Sequence, residues 1–176
     1  MDIWKVVDRQ TAKEYSARAR LVVIGFAGLV FALSIPAGLF WIAFHYDNKI
    51  HYTALSVVSI IGILLTVMGL SLAIWTVYVQ HKKARGTPAP FVPTKKLLIE
   101  KPYSYCRNPM ALGIFIYYSG ITIFTRSYLA LLAVFLFIVC LLLIIKFLEE
   151  KELEHRFGEE YLLYKKKTPF IIPRFK

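Results

Sequence analysis

The stretch "PMALGIFIYYSGITIFTRSYLALLAVFLFIVCLLLII", residues 109–145, decides the fold. It contains no Asp, Glu or Lys, and its one Arg, Arg126, sits in the polar triplet Thr125, Arg126, Ser127 that divides it. The two halves, Pro109 to Thr125 and Tyr128 to Ile145, are apolar runs of the kind that cross a hydrocarbon core of about 30 Å, the first near the lower length limit. So short a connection between them suits only a helical hairpin.

Upstream, Leu21 to Phe44 and Thr53 to Val79 are each free of Asp, Glu, Lys and Arg and are long enough to span. Pro36 is expected to bend the first, and the Gly and Ser in both permit close helix packing. The fold class is therefore all-α: a polytopic membrane bundle of about four transmembrane helices, with a helical hairpin before a cytoplasmic C-terminal amphipathic helix. It divides into a segment 1–20, two helices within 21–80, and a region 81–176 carrying the chemistry.

The composition agrees, since 57% of the 176 residues are hydrophobic and only 19% are charged, too apolar for an ordinary soluble domain. The formal charge of +11 does not point to nucleic acid, because the basic residues fall between apolar runs rather than on one soluble surface. Anionic lipid is the expected counter-charge. Cys106 and Cys140 form neither a metal cluster nor a secreted disulfide pattern and are expected as free thiols, and no metal site is expected. The N-terminal residues lack the short apolar core of a cleaved signal peptide.

Lys and Arg accumulate in the cytoplasmic loops of membrane proteins. Residues 1–20 carry five, 81–108 seven and 146–176 eight, against Lys49 and Arg126 in the other two connections. This predicts both termini in the cytoplasm. It also predicts that the start of the third span, at Arg107-Asn108-Pro109, lies beside the acidic end of the fourth.

Pro88, Pro90 and Pro93 predict an extended linker, and Leu153, Phe157, Tyr161 and Tyr164 fall at helical spacing in an interfacial tail with Gly158 as a break. Asn108 and Pro109 are a strong helix start, which capping alone explains. Arg107 adds a full charge beside the free N–H groups, so the start also favours a carboxylate or phosphate. Lys146, Glu149 and Glu150, at i, i+3 and i+4, are expected on one face at the other end of the hairpin. A solvated Lys–Glu pair accounts for them, but carboxylates at a helix end that prefers cations also invite a ligand with positive charge or hydroxyls.

"RGTPAPFVPTKKLLIEKPYSYCRNPMALG" (85–113), an apolar hairpin and "EEKELEHRFGEEYLLYKKKTPFIIPRF" (149–175) together resemble the isoprenylcysteine carboxyl methyltransferase and phospholipid methyltransferase superfamily of membrane enzymes. The resemblance implies transfer of a methyl group from S-adenosylmethionine to a lipophilic small molecule at the lipid bilayer. It implies cofactor contacts from Leu97, Leu98, Tyr103, Arg107, Asn108, Pro109, Met110, Ala111, Glu149 and Glu150, and acceptor contacts from Lys146 and Glu150. Phe157, Gly158, Tyr161, Tyr164, Pro169 and Pro173 match the family's closing pattern. Asn108 stands where its box has His, Ala111 where Tyr is usual, and Lys101 where Gly is usual, which weighs against a protein prenylcysteine as acceptor. A phospholipid amine, an isoprenoid carboxylate, a phenol or quinol, and a thiol all fit.

Two other classes are compatible with the residues: a membrane NADPH-dependent reductase of sterol-like substrates and a non-catalytic protein of the same fold. Comparing binding of the two cofactors separates all three. His45, His51, His81 and His155 are poor catalytic candidates, Trp4, Trp41 and Trp75 suit interfacial anchoring, and Tyr117-Tyr118 suits helix packing.

Overall fold

The computed structural model describes residues 8–9, 12–47, 56–87 and 93–174, in which no strand occurs. Helix α1 spans Ala17–Tyr46, α2 Val57–Lys83, α3 Pro109–Thr125, α4 Tyr128–Ile144 and α5 Glu150–Lys167. A π-helical turn, Ile145–Glu149, joins α4 to α5 in one rod. Pro88 and Pro90 of the linker, with His51 and Trp4, lie outside the described residues.

Serine starts three of these helices. The hydroxyls of Ser16, Ser56 and Ser127 accept from the N–H groups of Ala19, Ser59 and Ala130 at 3.1, 3.3 and 3.0 Å, each satisfying a donor that the helix leaves open. Arg126, at φ 53, reverses the chain between α3 and α4, so the expected hairpin forms. Asp47, just past α1, accepts from the Ser127 hydroxyl and from Leu129 N–H, fastening the end of α1 to the start of α4.

Three helices, α1, α2 and the α4–α5 rod, are long and apolar enough to cross a membrane. The 17 residues of α3 reach only about 25 Å. Its surroundings differ to match: α3 packs against α1, α2 and α4, most extensively α2, and much of its surface is buried. On the others, large apolar side chains such as Phe26, Leu64 and Phe135 face outward along the helix. Exposure on this scale belongs in lipid, where it costs nothing.

Glycine sets the α2–α3 approach. Gly62 and Gly69 of α2 face Gly120 and Gly113 of α3, so the helices run antiparallel with their backbones in contact. A Cβ on Gly62 would lie 2.8 Å from Phe124 N. Gly25, Gly28 and Gly38 of α1 have no such neighbour, so the close packing expected of the first two spans belongs to the second and third.

Pro36 acts through hydrogen bonding. Having no N–H, it frees carbonyls one turn back, and the chain ahead of it widens into a π-helix over Leu29–Ser34. The Tyr118 hydroxyl donates to Phe31 O at 2.7 Å and the Tyr117 hydroxyl to Ala32 O at 3.0 Å, at five and four residues before Pro36. The tyrosine pair therefore packs, as expected, and also satisfies the proline-freed acceptors. Tyr118→Phe should lower stability by about 1 kcal/mol, read as a lower unfolding midpoint in detergent. An unchanged midpoint would show that Phe31 O needs no protein donor.

Candidate active site

The loop before α3 and the chain after α5 are joined through their backbones. Arg107 N–H donates to Pro169 O at 2.9 Å, Asn108 N–H to Phe170 O at 3.2 Å, and Arg174 N–H to Tyr105 O at 3.0 Å. Residues 169–174 thus form a strap across the Arg-Asn-Pro box. Asn108 occupies the N-cap position of α3, but its side chain does not cap the helix: Nδ2 donates to Phe170 O at 2.9 Å, so the amide holds the strap. The cap expected at Asn108 is corrected accordingly, because the strap carbonyl competes for the same side chain.

The box and the acidic end of α4 are neighbours, as the charge pattern predicts. Arg107 Nη2 lies 2.8 Å from Glu150 Oε1, with only 7% and 3% of the two side chains exposed. Glu150 also meets Lys165 Nζ at 3.0 Å and Lys146 Nζ at 3.5 Å, and Lys165 reaches Glu154 at 2.6 Å. Three cations here face two carboxylates, leaving a net positive charge. The Glu154 bond, together with Glu150, raises the Lys165 pKa further. The Phe170 ring lies beneath both Arg107 and Lys146, at 5.8 and 5.4 Å.

Of Lys146, Glu149 and Glu150, expected on one face, Lys146 and Glu150 stay paired at 3.5 Å, but the three differ in burial. The π-helical turn Ile145–Glu149 adds rotation between them, so Glu150 turns inward while Lys146 and Glu149 keep exposed surface. Glu149, which keeps exposed surface, lies near enough for its charge to act on the buried Tyr103 hydroxyl. Desolvation, then the charges of Glu152 and Glu150, push the Glu149 pKa up to about 7. Burial, then Glu149, push the Tyr103 hydroxyl up as well.

Several buried polar atoms in this region have no hydrogen-bond partner among the described residues: Tyr103 Oη, Gln80 Oε1 and Arg107 Nε. Gln80 stands close enough to the Tyr103 hydroxyl to favour its charged form, while Gln80 Oε1 keeps no partner. The Glu150 oxygens, though within ion-pair range, receive no well-directed hydrogen bond either. Each orphaned group costs about 1–3 kcal/mol if nothing meets it, so the arrangement calls for a polar ligand or water.

Of the other expected contacts, Leu97 and Leu98 are half-buried in the loop, Pro109 and Ala111 are buried in the first turn of α3, and Met110 packs against the apolar core. Tyr164 hydroxyl donates to Tyr103 O at 2.7 Å and so braces that loop. Gly158, at φ 50 and ψ −127, breaks α5 as expected. Cys106 and Cys140 are free thiols. His155 pairs with Asp8 at 3.1 Å.

Gln80, Lys165 and Phe170 join the site without having been singled out in the sequence. Gln80 had a signal, a lone amide where α2 ends. Lys165 had none, because it stands in a run of three lysines that reads as a solvated face.

The phospholipid methyltransferase family profile matches residues 57–160, more than half of the chain. The chain belongs to this family. The match runs from the start of α2 into α5 and takes in Gln80, Tyr103, the Arg-Asn-Pro box and both glutamates. It stops short of Tyr161, Lys165 and the strap. No curated protein and no solved structure matches the chain. Family membership with the outward apolar helices makes the protein a membrane methyltransferase by class.

Proposed function

We propose that the protein transfers a methyl group from S-adenosylmethionine to a lipophilic acceptor at the cytoplasmic membrane face. The observation that carries this reading is the set of unpartnered buried donors and acceptors, Arg107 Nε, Tyr103 Oη and Gln80 Oε1, beside a paired glutamate. The cofactor's carboxylate, ammonium, ribose hydroxyls and adenine present the complementary groups in one molecule.

Bound there, the cofactor would supply an activated sulfonium methyl, a donor that needs no metal or nucleophilic relay from the protein. Arg107 would hold the carboxylate and Glu149 the ammonium or a ribose hydroxyl, with Tyr103 and Gln80 completing the polar wall. Glu150, locked between Arg107, Lys165 and Lys146, orients the two cations that flank Phe170. Lys146, half-exposed at the membrane edge, is the residue assigned to the acceptor. The remaining task is to align acceptor and methyl and to exclude water.

Glu149 gives this reading a pH signature. A carboxyl with a pKa near 7 is neutral below that value and charged above it. A cationic ligand binds the charged form, so affinity should fall by up to about tenfold per unit as pH is lowered below 7. Glu149→Gln should bind about tenfold or more weakly and lose the pH dependence. Equilibrium dialysis with labelled cofactor measures both, and a variant with wild-type affinity and an unaltered profile would sink the assignment. Labelled cofactor with total lipid extract then identifies the acceptor.

A further inference from the structure

A second cationic site lies on the other part of the strap. A groove of about 250 Å³ opens between the loop before the box and the end of α5, lined by Lys101, Ser104 and Tyr105 on one wall and by Lys167, Thr168 and Arg174 on the other. None of Arg107, Lys146, Glu149 or Glu150 lines it.

Its walls are held by the backbone. Tyr105 N–H donates to Pro102 O, Arg174 N–H to Tyr105 O, and Thr168 N–H to Tyr164 O, at 3.1, 3.0 and 2.9 Å. Three cations and three hydroxyl-bearing side chains are therefore presented on a frame that binding need not first order. No carboxylate lies within 4 Å of Lys101, Lys167 or Arg174 among the described residues. Glu100, next to Lys101 in sequence, is taken by Lys83. Lys101 rests instead over the Tyr105 ring, at 5.6 Å.

We infer that this groove binds a phosphate group. Like-charged side chains gathered with no counter-ion among the described residues repel one another, and a phosphate relieves three of them at once. Its oxygens accept from the Arg174 guanidinium, the lysine ammoniums and the hydroxyls of Ser104 and Thr168. The volume suits a phosphate with a few attached atoms, the size of a lipid headgroup or of a small soluble phosphate. Ile172 of the strap, 78% exposed, gives the groove an apolar neighbour suited to the membrane surface.

The test uses the purified full chain in neutral detergent. Inorganic phosphate is titrated and followed by isothermal calorimetry, with dihexanoyl phosphatidic acid and glycerol phosphate as competitors. Wild type should bind phosphate, and the double variant K167A/R174A should bind it about tenfold or more weakly, while K167R/R174K keeps most of the affinity. Lys101→Ala, on the opposite wall, tests the groove separately should the double variant fail to fold. Preferential displacement by the phosphatidic acid assigns a lipid headgroup, and equal displacement by glycerol phosphate assigns a soluble ligand; either supports the groove. Absence of binding by all three probes, or unchanged affinity in both alanine variants, overturns it. The readout involves no methyl transfer, so it stands or falls apart from the proposed activity.

Discussion

Glu150→Gln is expected to lower stability by about 3–5 kcal/mol, the cost of leaving a buried charge without its partner. Gln keeps the shape of Glu, so the change isolates the charge. Lys165 retains Glu154, and Lys146 is half-exposed and can turn to water. Arg107 has neither escape: its side chain is 7% exposed, its Nε has no partner, and its remaining polar contact is Lys165 O at 3.2 Å. The burden therefore falls on the box, and with it on the strap that Arg107 and Asn108 hold. Chemical unfolding in detergent measures the loss. Arg107→Gln in the Glu150→Gln background should recover part of it, because the uncompensated charge is then gone. If Glu150→Gln unfolds at the wild-type midpoint, the ion pair is not what joins α5 to the box.

The parts of the structure that the sequence disclosed are those encoded by local composition. Apolar runs set the helices, Thr125-Arg126-Ser127 set the hairpin, and the alternation of Lys and Arg brought Arg107 and Glu150 to the same end of the bundle. Gly158 was legible as a break because glycine alone tolerates that backbone freely. What stayed hidden depends on contacts between distant segments. The side chain of Asn108 chose the Phe170 carbonyl over the helix N-terminus, and nothing in Asn-Pro encodes a strap arriving more than sixty residues later. A regular 3.6-residue repeat placed Lys146, Glu149 and Glu150 together; Lys146 and Glu150 do pair, but the π-helical turn and the burial of Glu150 beneath Arg107 were not legible. Lys165 was masked by Lys166 and Lys167. The glycines of α2 and α3 lie between the two cases. Their spacing, Gly62 to Gly69 and Gly113 to Gly120, repeats every seven residues and marks a contact stripe, but only the fold shows that the two stripes face each other.

That stripe carries the second large effect. Gly69→Ala should prevent α2 and α3 from docking, with a loss of about 3 kcal/mol or more. A Cβ at Gly69 would collide with the backbone nitrogen of Tyr117 and lie 2.6 Å from Gly113 O. These are main-chain atoms of a helix, which cannot rotate aside as a side chain does. Relief requires the helices to separate, and α3 cannot separate without moving the Arg107 box at its first turn and the Tyr117–Tyr118 bonds to α1. Gly28→Ala is the matched control, since a Cβ there meets nothing within 4 Å. It should be neutral or stabilising by up to about 1 kcal/mol, the gain in helix propensity. Size-exclusion profiles and unfolding midpoints of the two variants in one detergent read the contrast. Equal behaviour would mean that the backbone contact of α2 with α3 contributes nothing to the fold, and the proposed cofactor contacts at the α3 start would lose their structural support.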